Sequence, residues 1–377
     1  MHGRGLRIIV LAIFLLIPGF VLLSPAHATP LPTTYTQTPR QILESHVRAR
    51  MPLEHTFGQV RREVDLLSGR REINGIFISE AGLIRRIGPI NDDIVRANIS
   101  ATLTFANNLT GFSIDDTVPV FISLLPTSAA ILQESLPPFS NTINQRQFIE
   151  DVYSALSGHV SSINVFETLL THRHEYIYYR THNNFTSLGG YYIFTQLHSR
   201  MLGSAAPPRS MFTLSYPGGD FLGDLYQTAP YRGVQPDRIT LFHWSGPMRY
   251  QHIVTHTGVD SRQRIYHTLY PRHMTELERH MDIFLGGLSS ITDIQSTVPY
   301  TRTLLILGDE TALAYAPFLA NHYRRVTIID IFSEDASASG IMARNYSQVL
   351  LAVSTETFMT REISAVTLER LAVNFDF

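Results

Sequence analysis

The sequence predicts an α/β fold in three layers, with helices on both faces of a mostly parallel sheet. Five short and almost continuously apolar runs support this prediction: residues 120–125, 160–166, 303–307, 326–331 and 349–353. Runs of this length and composition are typical of strands that are buried on both faces. Helical patterns separate several of them, and strands that alternate with helices favour parallel pairing.

Composition limits the possible chemistry. The chain has 377 residues and is 44% hydrophobic, which is enough for a large core without disulfide bonds. It contains no cysteine, which excludes thiol nucleophiles and Cys-bound zinc. A formal net charge of −2 gives no overall field to recruit nucleic acid. All 30 basic residues are arginine, so Schiff-base chemistry and the lysine of a phosphate-binding loop are also excluded.

The N-terminus has the pattern of an export signal. Two arginines precede an apolar run of residues 8–23, and an Ala-His-Ala sequence ends at Ala28. We expect residues 1–28 to be a signal peptide, and the alternative is an uncleaved membrane anchor; either would place the rest of the chain outside the cytoplasm. Residues 29–40 are rich in Pro and Thr and are expected to be a linker, with no membrane contact beyond the N-terminal segment.

The folded domain is predicted to span residues 41–377. Apolar residues recur at helical spacing in five stretches, residues 41–68, 91–110, 144–158, 311–324 and 336–344. A further strand is predicted at residues 73–79, followed by a turn at Ala81-Gly82. Residues 205–272 lack clear periodicity and hold many Gly, Pro, Tyr and His, so we expect an irregular insertion or a set of loops beside the site.

The turn after the 303–307 run is the first candidate site. Ligands of open α/β sheets bind beyond the carboxyl ends of the strands, and Gly308, Asp309 and Glu310 lie at such an end, just before a predicted helix. Hydrolases of this topology place a serine at the position that Glu310 occupies here. A simpler interpretation is that Asp309 and Glu310 cap the helix and interact with its dipole.

A polar loop within the aromatic-rich residues 176–192 is the second candidate. His182, Asn183 and Asn184 form this loop, and Thr186 or Ser187 can cap a helix that begins directly afterwards. A loop of this kind either lines a site or satisfies backbone groups.

Together the two segments resemble the DHHW protein family, a bacterial branch of the SGNH hydrolase-like proteins similar to the alginate O-acetyltransferase group. The family motif runs Tyr-Tyr-Arg-Thr-Asp-His-His-Trp-Thr and continues with a Leu-Gly-Ala-Tyr-Tyr-like stretch. This chain reads Tyr-Tyr-Arg-Thr-His-Asn-Asn-Phe-Thr at residues 178–186 and Leu-Gly-Gly-Tyr-Tyr at residues 188–192. Other family-like pieces lie in the expected order at residues 73–78, 125–127, 220–226, 283–287, 316–323 and 329–330. The resemblance covers roughly residues 40–360 and implies an SGNH-like, flavodoxin-like domain.

The resemblance also implies that the reactive residues are replaced. In the related acetyltransferases a Ser attacks the acyl carbon, a His takes its proton, and an Asp orients the His. By position, the Asp corresponds to His182, the His to Asn184 and the Ser to Glu310. Asn184 cannot exchange a proton near neutral pH, and Leu288, at the position of a plausible oxyanion donor, offers no donor. The same correspondence implies binding positions at Asp309, Tyr179, Arg180, Asn183, Phe185 and Leu288.

Three functions remain open from the sequence. The first is a non-catalytic family member at the cell envelope that binds a surface polysaccharide or an acylation partner protein. The second is an active O-acyltransferase or esterase with a rearranged set of Glu310, Asp309 and His182. The third is a purely structural protein with a closed cleft. No cofactor or metal is expected, although His182 and Glu310 could form an ion pair or hold a metal.

Two further groups of residues have alternative interpretations. His252 and His256 have metal-compatible spacing but lie in a predicted strand, and Glu276 with His280 is expected to be a surface pair on a helix over residues 274–282. Aromatic residues are also dense in residues 212–250, which include the sole tryptophan, Trp244. They could stack on sugar rings or fill the cores of loops.

Overall fold

The computed structural model describes residues 71–110, 118–257, 263–276, 279–332, 346–363 and 368. The predicted signal peptide, the linker and the helical stretches over residues 41–68 and 336–344 lie outside these ranges. The described residues from Glu72 onwards belong to one compact unit. In that part of the chain, no helix combines the length and the apolarity needed to cross a membrane.

Strands and helices are numbered in chain order. The strands are β1 (Glu72–Ile73), β2 (Ile76–Ser79), β3 (Gly82–Arg85), β4 (Val120–Leu125), β5 (Ser161–Ser162), β6 (Phe212–Ser215), β7 (Leu241–Trp244), β8 (His252–Thr257), β9 (Gln263–Tyr266), β10 (Ile291–Ser296), β11 (Thr303–Gly308), β12 (Arg325–Asp330) and β13 (Gln348–Ser354). The α-helices are α1 (Asp92–Thr110), α2 (Ser128–Ile131), α3 (Gln145–Ala155), α4 (Phe166–Thr171), α5 (Ser187–Leu202), α6 (Asp224–Thr228), α7 (His273–Glu276), α8 (Ala312–Leu319) and α9 (Thr355–Thr360). Short 3-10 helices lie at Gln133–Ser135, Arg209–Met211 and His280–Ile283.

An eight-stranded sheet forms the centre, in the order β5-β4-β13-β11-β12-β10-β8-β9. The first five strands are parallel, and Leu305 of β11 pairs with Thr327 on one side and Val349 on the other. The last three strands, β10, β8 and β9, are antiparallel. All six residues of β4 are buried, as are the central residues of β11, β12 and β13, because both faces of the sheet are covered. The predicted α/β fold with a mostly parallel sheet is confirmed.

The apolar runs at residues 120–125, 303–307, 326–331 and 349–353 match β4, β11, β12 and β13 to within one residue at each end. The prediction at residues 160–166 was too long, since only Ser161–Ser162 pairs with β4. The Asn164 side chain accepts a hydrogen bond from the backbone N–H of Phe166, which starts α4 and ends the extended segment.

The region predicted as an irregular insertion is partly regular. Of residues 205–272, β8 and β9 extend the central sheet, and β6 and β7 form a separate two-stranded antiparallel sheet. The strand predicted around His252 and His256 is confirmed as β8. The side chains of β6, β7 and β9 do not alternate between buried and exposed positions, so the sequence gives little sign of those three strands. The helix predicted over residues 274–282 was wrong. Arg279 leaves helical backbone geometry between α7 and the 3-10 helix His280–Ile283, so Glu276 and His280 do not share one helix face.

Two helices approach closely enough to require glycine. Helix α5 packs against α8, and a β-carbon at Gly190 would lie 2.0 Å from the carbonyl oxygen of Ala314. No side chain fits at that distance without moving the backbone. Gly190 therefore holds the helix after the candidate polar loop against the helix after the Asp309-Glu310 turn.

Gly190→Ala is expected to destabilise the fold by about 3 kcal/mol, because the methyl group would push α5 away from α8. Urea denaturation followed by circular dichroism measures this change. Gly219→Ala is the matched control, since a β-carbon at Gly219 meets nothing within 4 Å, and its effect should stay within about 1 kcal/mol. Equal stability of the two variants would contradict the close-approach argument.

Candidate functional site

The two candidate segments meet at the carboxyl edge of the parallel strands. The side-chain amide of Asn184 donates a hydrogen bond of 3.2 Å to the backbone carbonyl of Glu310. Asn184 is buried, and its amide oxygen accepts a bond of 2.7 Å from the backbone N–H of Phe185. The amide nitrogen therefore joins the loop to the turn after β11, and the amide oxygen stabilises the loop itself.

A cavity of about 410 Å³ opens beside this contact. It lies where β4, β11, β12 and β13 end, which is where open α/β sheets bind ligands. Buried Tyr178 and Phe185 contribute aromatic walls. Of the predicted site residues, those that line the cavity are Asn183, Asn184, Phe185, Leu288, Asp309 and Glu310.

Asp309 joins the ends of two neighbouring strands. Its carboxylate accepts hydrogen bonds from the backbone N–H of Thr311 at 3.0 Å and from that of Ser354, the last residue of β13, at 2.8 Å. It also accepts one from the Thr311 hydroxyl. These three donors use most of the acceptor capacity of this buried carboxylate, so Asp309 acts as a brace of the cavity floor.

Glu310, the residue after Asp309, is exposed at the cavity rim. Its pKa is raised above the usual value, first because the surrounding protein removes water from the carboxyl group. His182 opposes this shift in the pKa, while the carboxylates of Asp224, Asp309 and Asp282 add to it.

The polar loop is also tied to a neighbouring helix. Asn183 donates its side-chain amide to Glu356 of α9 at 3.1 Å, and its backbone N–H to Asp224 of α6 at 2.9 Å. Burial raises the pKa of Glu356, with Arg85 and the Asn183 bond opposing the shift. The cavity thus has amide and carboxylate groups along one wall.

His182 pairs with a carboxylate that the sequence analysis did not assign to the site. Its Nδ1 lies 2.7 Å from Asp224, and its side chain is 13% exposed. Burial alone would lower the pKa of His182, but the hydrogen bond and charge of Asp224, with smaller contributions from Glu310 and Asp237, raise it above the ordinary value. The Nε2 atom is enclosed by protein without a hydrogen-bond partner, and His182 does not line the cavity.

A buried carboxylate, Asp237, fixes the start of the polar loop. It is completely buried and accepts hydrogen bonds from the backbone N–H groups of Arg180 at 2.6 Å and Thr181 at 2.7 Å. The hydroxyls of Thr181 and Tyr176 donate to the same carboxylate. No spacing rule connects Asp237 to the loop, because the two segments are 57 residues apart in the chain.

Glycine permits the contact between the loop and the segment before α6. Thr181 accepts hydrogen bonds from the backbone N–H groups of Gly223, Leu225 and Tyr226. A β-carbon at Gly223 would lie 2.3 Å from the β-carbon of His182. This segment, which begins Asp-Phe-Leu-Gly at residue 220, is one of the family-like pieces noted in the sequence. That resemblance was the one sequence feature that pointed to Asp224, the partner of His182.

Two predicted binding residues lie outside the cavity. Tyr179 is buried, with its ring 5.6 Å from that of Phe221, and burial raises the pKa of its hydroxyl. The Arg180 guanidinium stacks 4.2 Å from the centre of the Tyr176 ring and faces a separate cavity of about 430 Å³. Both residues support the loop, and in this structure neither reaches the space beside Glu310.

The cavity has hydroxyl groups but no imidazole base. Ser128 and Ser354 line it, whereas none of the described residues lining it is a histidine. A Ser–His contact does occur elsewhere, between Ser215 and His243 at 2.7 Å, where β6 pairs with β7. Within the described ranges, no three His, Asp or Glu side chains are arranged to hold a metal ion.

Asp224→Asn is expected to lower the pKa of His182 from above its ordinary value to below it, because burial then dominates. NMR titration of the His182 ring protons measures this shift. In the wild type the raised pKa stabilises the folded state below about pH 6.5, and this contribution is lost as the pH rises through the folded-state pKa. Asp220→Asn, at a carboxylate that pairs with Arg238, is the control. An unchanged His182 titration in Asp224→Asn would contradict the pairing.

Comparison with solved structures supports the fold. A DHHW family protein from Eubacterium siraeum aligns with a TM-score of 0.64 and 21% identity over 79% of this chain and 96% of that chain. Bacillus cereus PatB1, solved with a sulfonyl adduct, aligns with a TM-score of 0.62 and 14% identity over 75% and 96% of the two chains. The O-acetyltransferase domain of Pseudomonas putida AlgJ aligns with a TM-score of 0.51 and 10% identity over 79% and 99%. At these identities the likeness is one of fold.

Comparison at the level of sequence identifies the family. No curated protein sequence matches the chain significantly. The family model of the DHHW protein matches residues 97–329, which is more than half of the chain and includes both segments of the site. The chain therefore belongs to the DHHW protein family.

Proposed function

We propose that this protein is an exported, non-catalytic member of the DHHW family that binds a saccharide at the cell envelope. The open cavity beside Asn184 and Glu310, where acyl-transfer residues are expected from the family resemblance, carries the proposal. An open cavity supports a binding role and disfavours a purely structural protein with a closed cleft.

The replaced residues support the loss of catalysis. Asn184 uses its amide to bond to the Glu310 carbonyl, and an amide cannot take a proton from a nucleophile. Glu310 could attack an acyl group only through an anhydride. Leu288 lines the cavity at the family's oxyanion position without a side-chain donor, and such a loss costs about 3–4 kcal/mol of transition-state stabilisation.

The polarity of the cavity supports a neutral or amino-bearing sugar. Carboxylates dominate the lining and only one guanidinium, that of Arg361, faces them among the described residues; the carboxylates are Asp282, Asp309, Glu310, Asp330 and Glu356. Carboxylates accept hydrogen bonds from the hydroxyl groups of a sugar, and the amide of Asn183 can both donate to them and accept from them. A uronic acid polymer would be repelled by the same groups, whereas an ammonium group would be attracted.

Location at the envelope rests on the N-terminal sequence pattern. Residues 1–28 combine early arginines, a short apolar run and an Ala-His-Ala end. An acylation partner protein is a second class of ligand for the same cavity, and the binding experiment below separates it from a saccharide.

An active enzyme with a rearranged site is the alternative, and the His182–Asp224 pair favours it because such pairs orient a catalytic base. The geometry weighs against it. The free Nε2 atom of His182 is enclosed and does not line the cavity, and Asp309 already accepts three hydrogen bonds within the protein.

Loss of catalysis is tested by restoring the missing pair. The double variant Asn184→His with Glu310→Ser should react with a sulfonyl fluoride at position 310 at least about 100-fold faster than Glu310→Ser alone, because only the double variant has a base beside its hydroxyl. Intact-protein mass spectrometry measures the adduct.

The wild type should hydrolyse 4-nitrophenyl acetate no faster than His182→Ala, Glu310→Ala or Ser215→Ala. If the wild type hydrolyses this ester and any one of these three substitutions abolishes the hydrolysis, the protein is an active enzyme and the proposal is overturned.

Saccharide binding is tested by calorimetry with three tetrasaccharides of equal length. Chitotetraose, which is cationic, and its neutral N-acetylated form should bind in this cavity, whereas Asn183→Ala should leave any binding of the anionic tetragalacturonate unchanged. Asn183→Ala should weaken binding of the first two at least fivefold, and Asn141→Ala, at an exposed position, should leave it unchanged. Absence of binding by both chito-oligosaccharides would overturn the saccharide proposal and leave a protein partner as the ligand class.

A further inference from the structure

A further cavity lies at the opposite edge of the central sheet. It has a volume of about 910 Å³ and forms where β11 and β12 begin and where the antiparallel β10 ends. Thr303, Arg325 and Ser296 mark these three strand ends in its lining. Cavities of roughly 300–1,000 Å³ hold small ligands, and this one has no part in the site at the carboxyl edge.

Its charge is positive. Arg249 and Arg324 are exposed in its lining and form no ion pair with a described carboxylate. Arg325 is 3.4 Å from the buried Asp293, which compensates its charge. Among the residues that the structure describes, no Asp or Glu lines the cavity. Two free guanidinium groups in a space without lining carboxylates attract an anion.

Two of the three histidines that line the cavity, His243 and His252, add little to this charge. Burial lowers the pKa of His252 to about 4, with a backbone bond to Ala320 opposing the shift, and burial also lowers the pKa of His243. Both rings are therefore neutral at physiological pH. The positive charge comes from arginine, which stays protonated at every pH a protein experiences.

Aromatic and polar groups of the cavity suit a sugar ring. The half-buried rings of Trp244 and Tyr250 lie nearly parallel, at an interplanar angle of 19° with centroids 6.3 Å apart. The Trp244 indole donates to the carbonyl of Met248, which fixes its plane. Asn321 is only 4% exposed and donates its amide to the carbonyl of Pro317, but its buried Oδ1 has no hydrogen-bond partner. An unpaired buried acceptor is costly, and a ligand hydroxyl would remove that cost.

We propose that this cavity binds an anionic carbohydrate, with its acidic group between Arg249 and Arg324, its ring against Trp244 and Tyr250, and a hydroxyl donating to Asn321. The site is distinct from the cavity at the carboxyl edge in place and in charge. The assignment therefore stands independently of the proposed function.

Calorimetry with tetragalacturonate tests this assignment. The wild type should bind tetragalacturonate at least tenfold more tightly than its methyl ester, which keeps the rings but lacks the charge. The double substitution Arg249→Gln with Arg324→Gln should weaken binding at least tenfold, and Tyr250→Ala should weaken it at least threefold. Arg232→Gln, at an exposed arginine outside the cavity, is the matched control and should bind as the wild type does.

Three results would overturn the proposal: no binding of tetragalacturonate, equal binding of the methyl ester, or full binding by the double arginine variant. Inorganic phosphate bound as tightly as the tetrasaccharide would show a general anion site and would also overturn the carbohydrate assignment. Asn183→Ala is expected to leave tetragalacturonate binding unchanged, and the double arginine variant should still bind chitotetraose. The two sites can therefore fail separately.

Discussion

The candidate site depends on one buried carboxylate. Asp237 has no exposure to solvent and is satisfied by two backbone N–H groups and two hydroxyls from the loop that leads into His182, Asn183 and Asn184. A carboxylate buried without such donors would destabilise the fold by several kcal/mol, so the loop is required in this shape. The network also holds Thr181. Its hydroxyl accepts a hydrogen bond from Gly223, just before α6, and its carbonyl accepts hydrogen bonds from the first turn of α6. The shape of the site thus rests on residues that need no reactive chemistry.

Two further polar side chains and one glycine keep the cavity open. The amide of Asn184 and the carboxylate of Asp309 both act as braces, one joining the loop to the β11 turn and the other joining β11 to β13. Gly190 allows α5, the helix after the loop, to approach α8, the helix after the β11 turn. Packing and hydrogen bonding among these residues therefore keep the cavity in place. The two cavities at opposite sheet edges differ in sign, one rich in carboxylates and one in arginine.

Much of the fold could be predicted from sequence because the buried parallel strands are short and continuously apolar. The pairing of the loop at Asn184 with the turn at Glu310 could be expected from the family resemblance and from the rule that ligands bind at the carboxyl ends of strands. Asp237 and Asp224, the partner of His182, were missed for two reasons. Both lie in a region without periodicity, and both contact residues that are far from them along the chain. The strand predicted around His252 and His256 is β8, whereas β9 was missed because its side chains are mostly exposed and do not alternate. Tyr179 and Arg180 follow the family motif, but their side chains pack behind the loop.

Amide hydrogen exchange, resolved by mass spectrometry of peptides, tests the role of the buried carboxylate most directly. In the wild type the backbone amides of Arg180 and Thr181 should be strongly protected, since they donate to Asp237. Asp237→Asn replaces one acceptor oxygen by a donor, so exchange of residues 178–186 should rise at least tenfold while α1 keeps its protection. Unchanged protection of residues 178–186, or an equal loss of protection in α1, would contradict the account that Asp237 holds this loop in place.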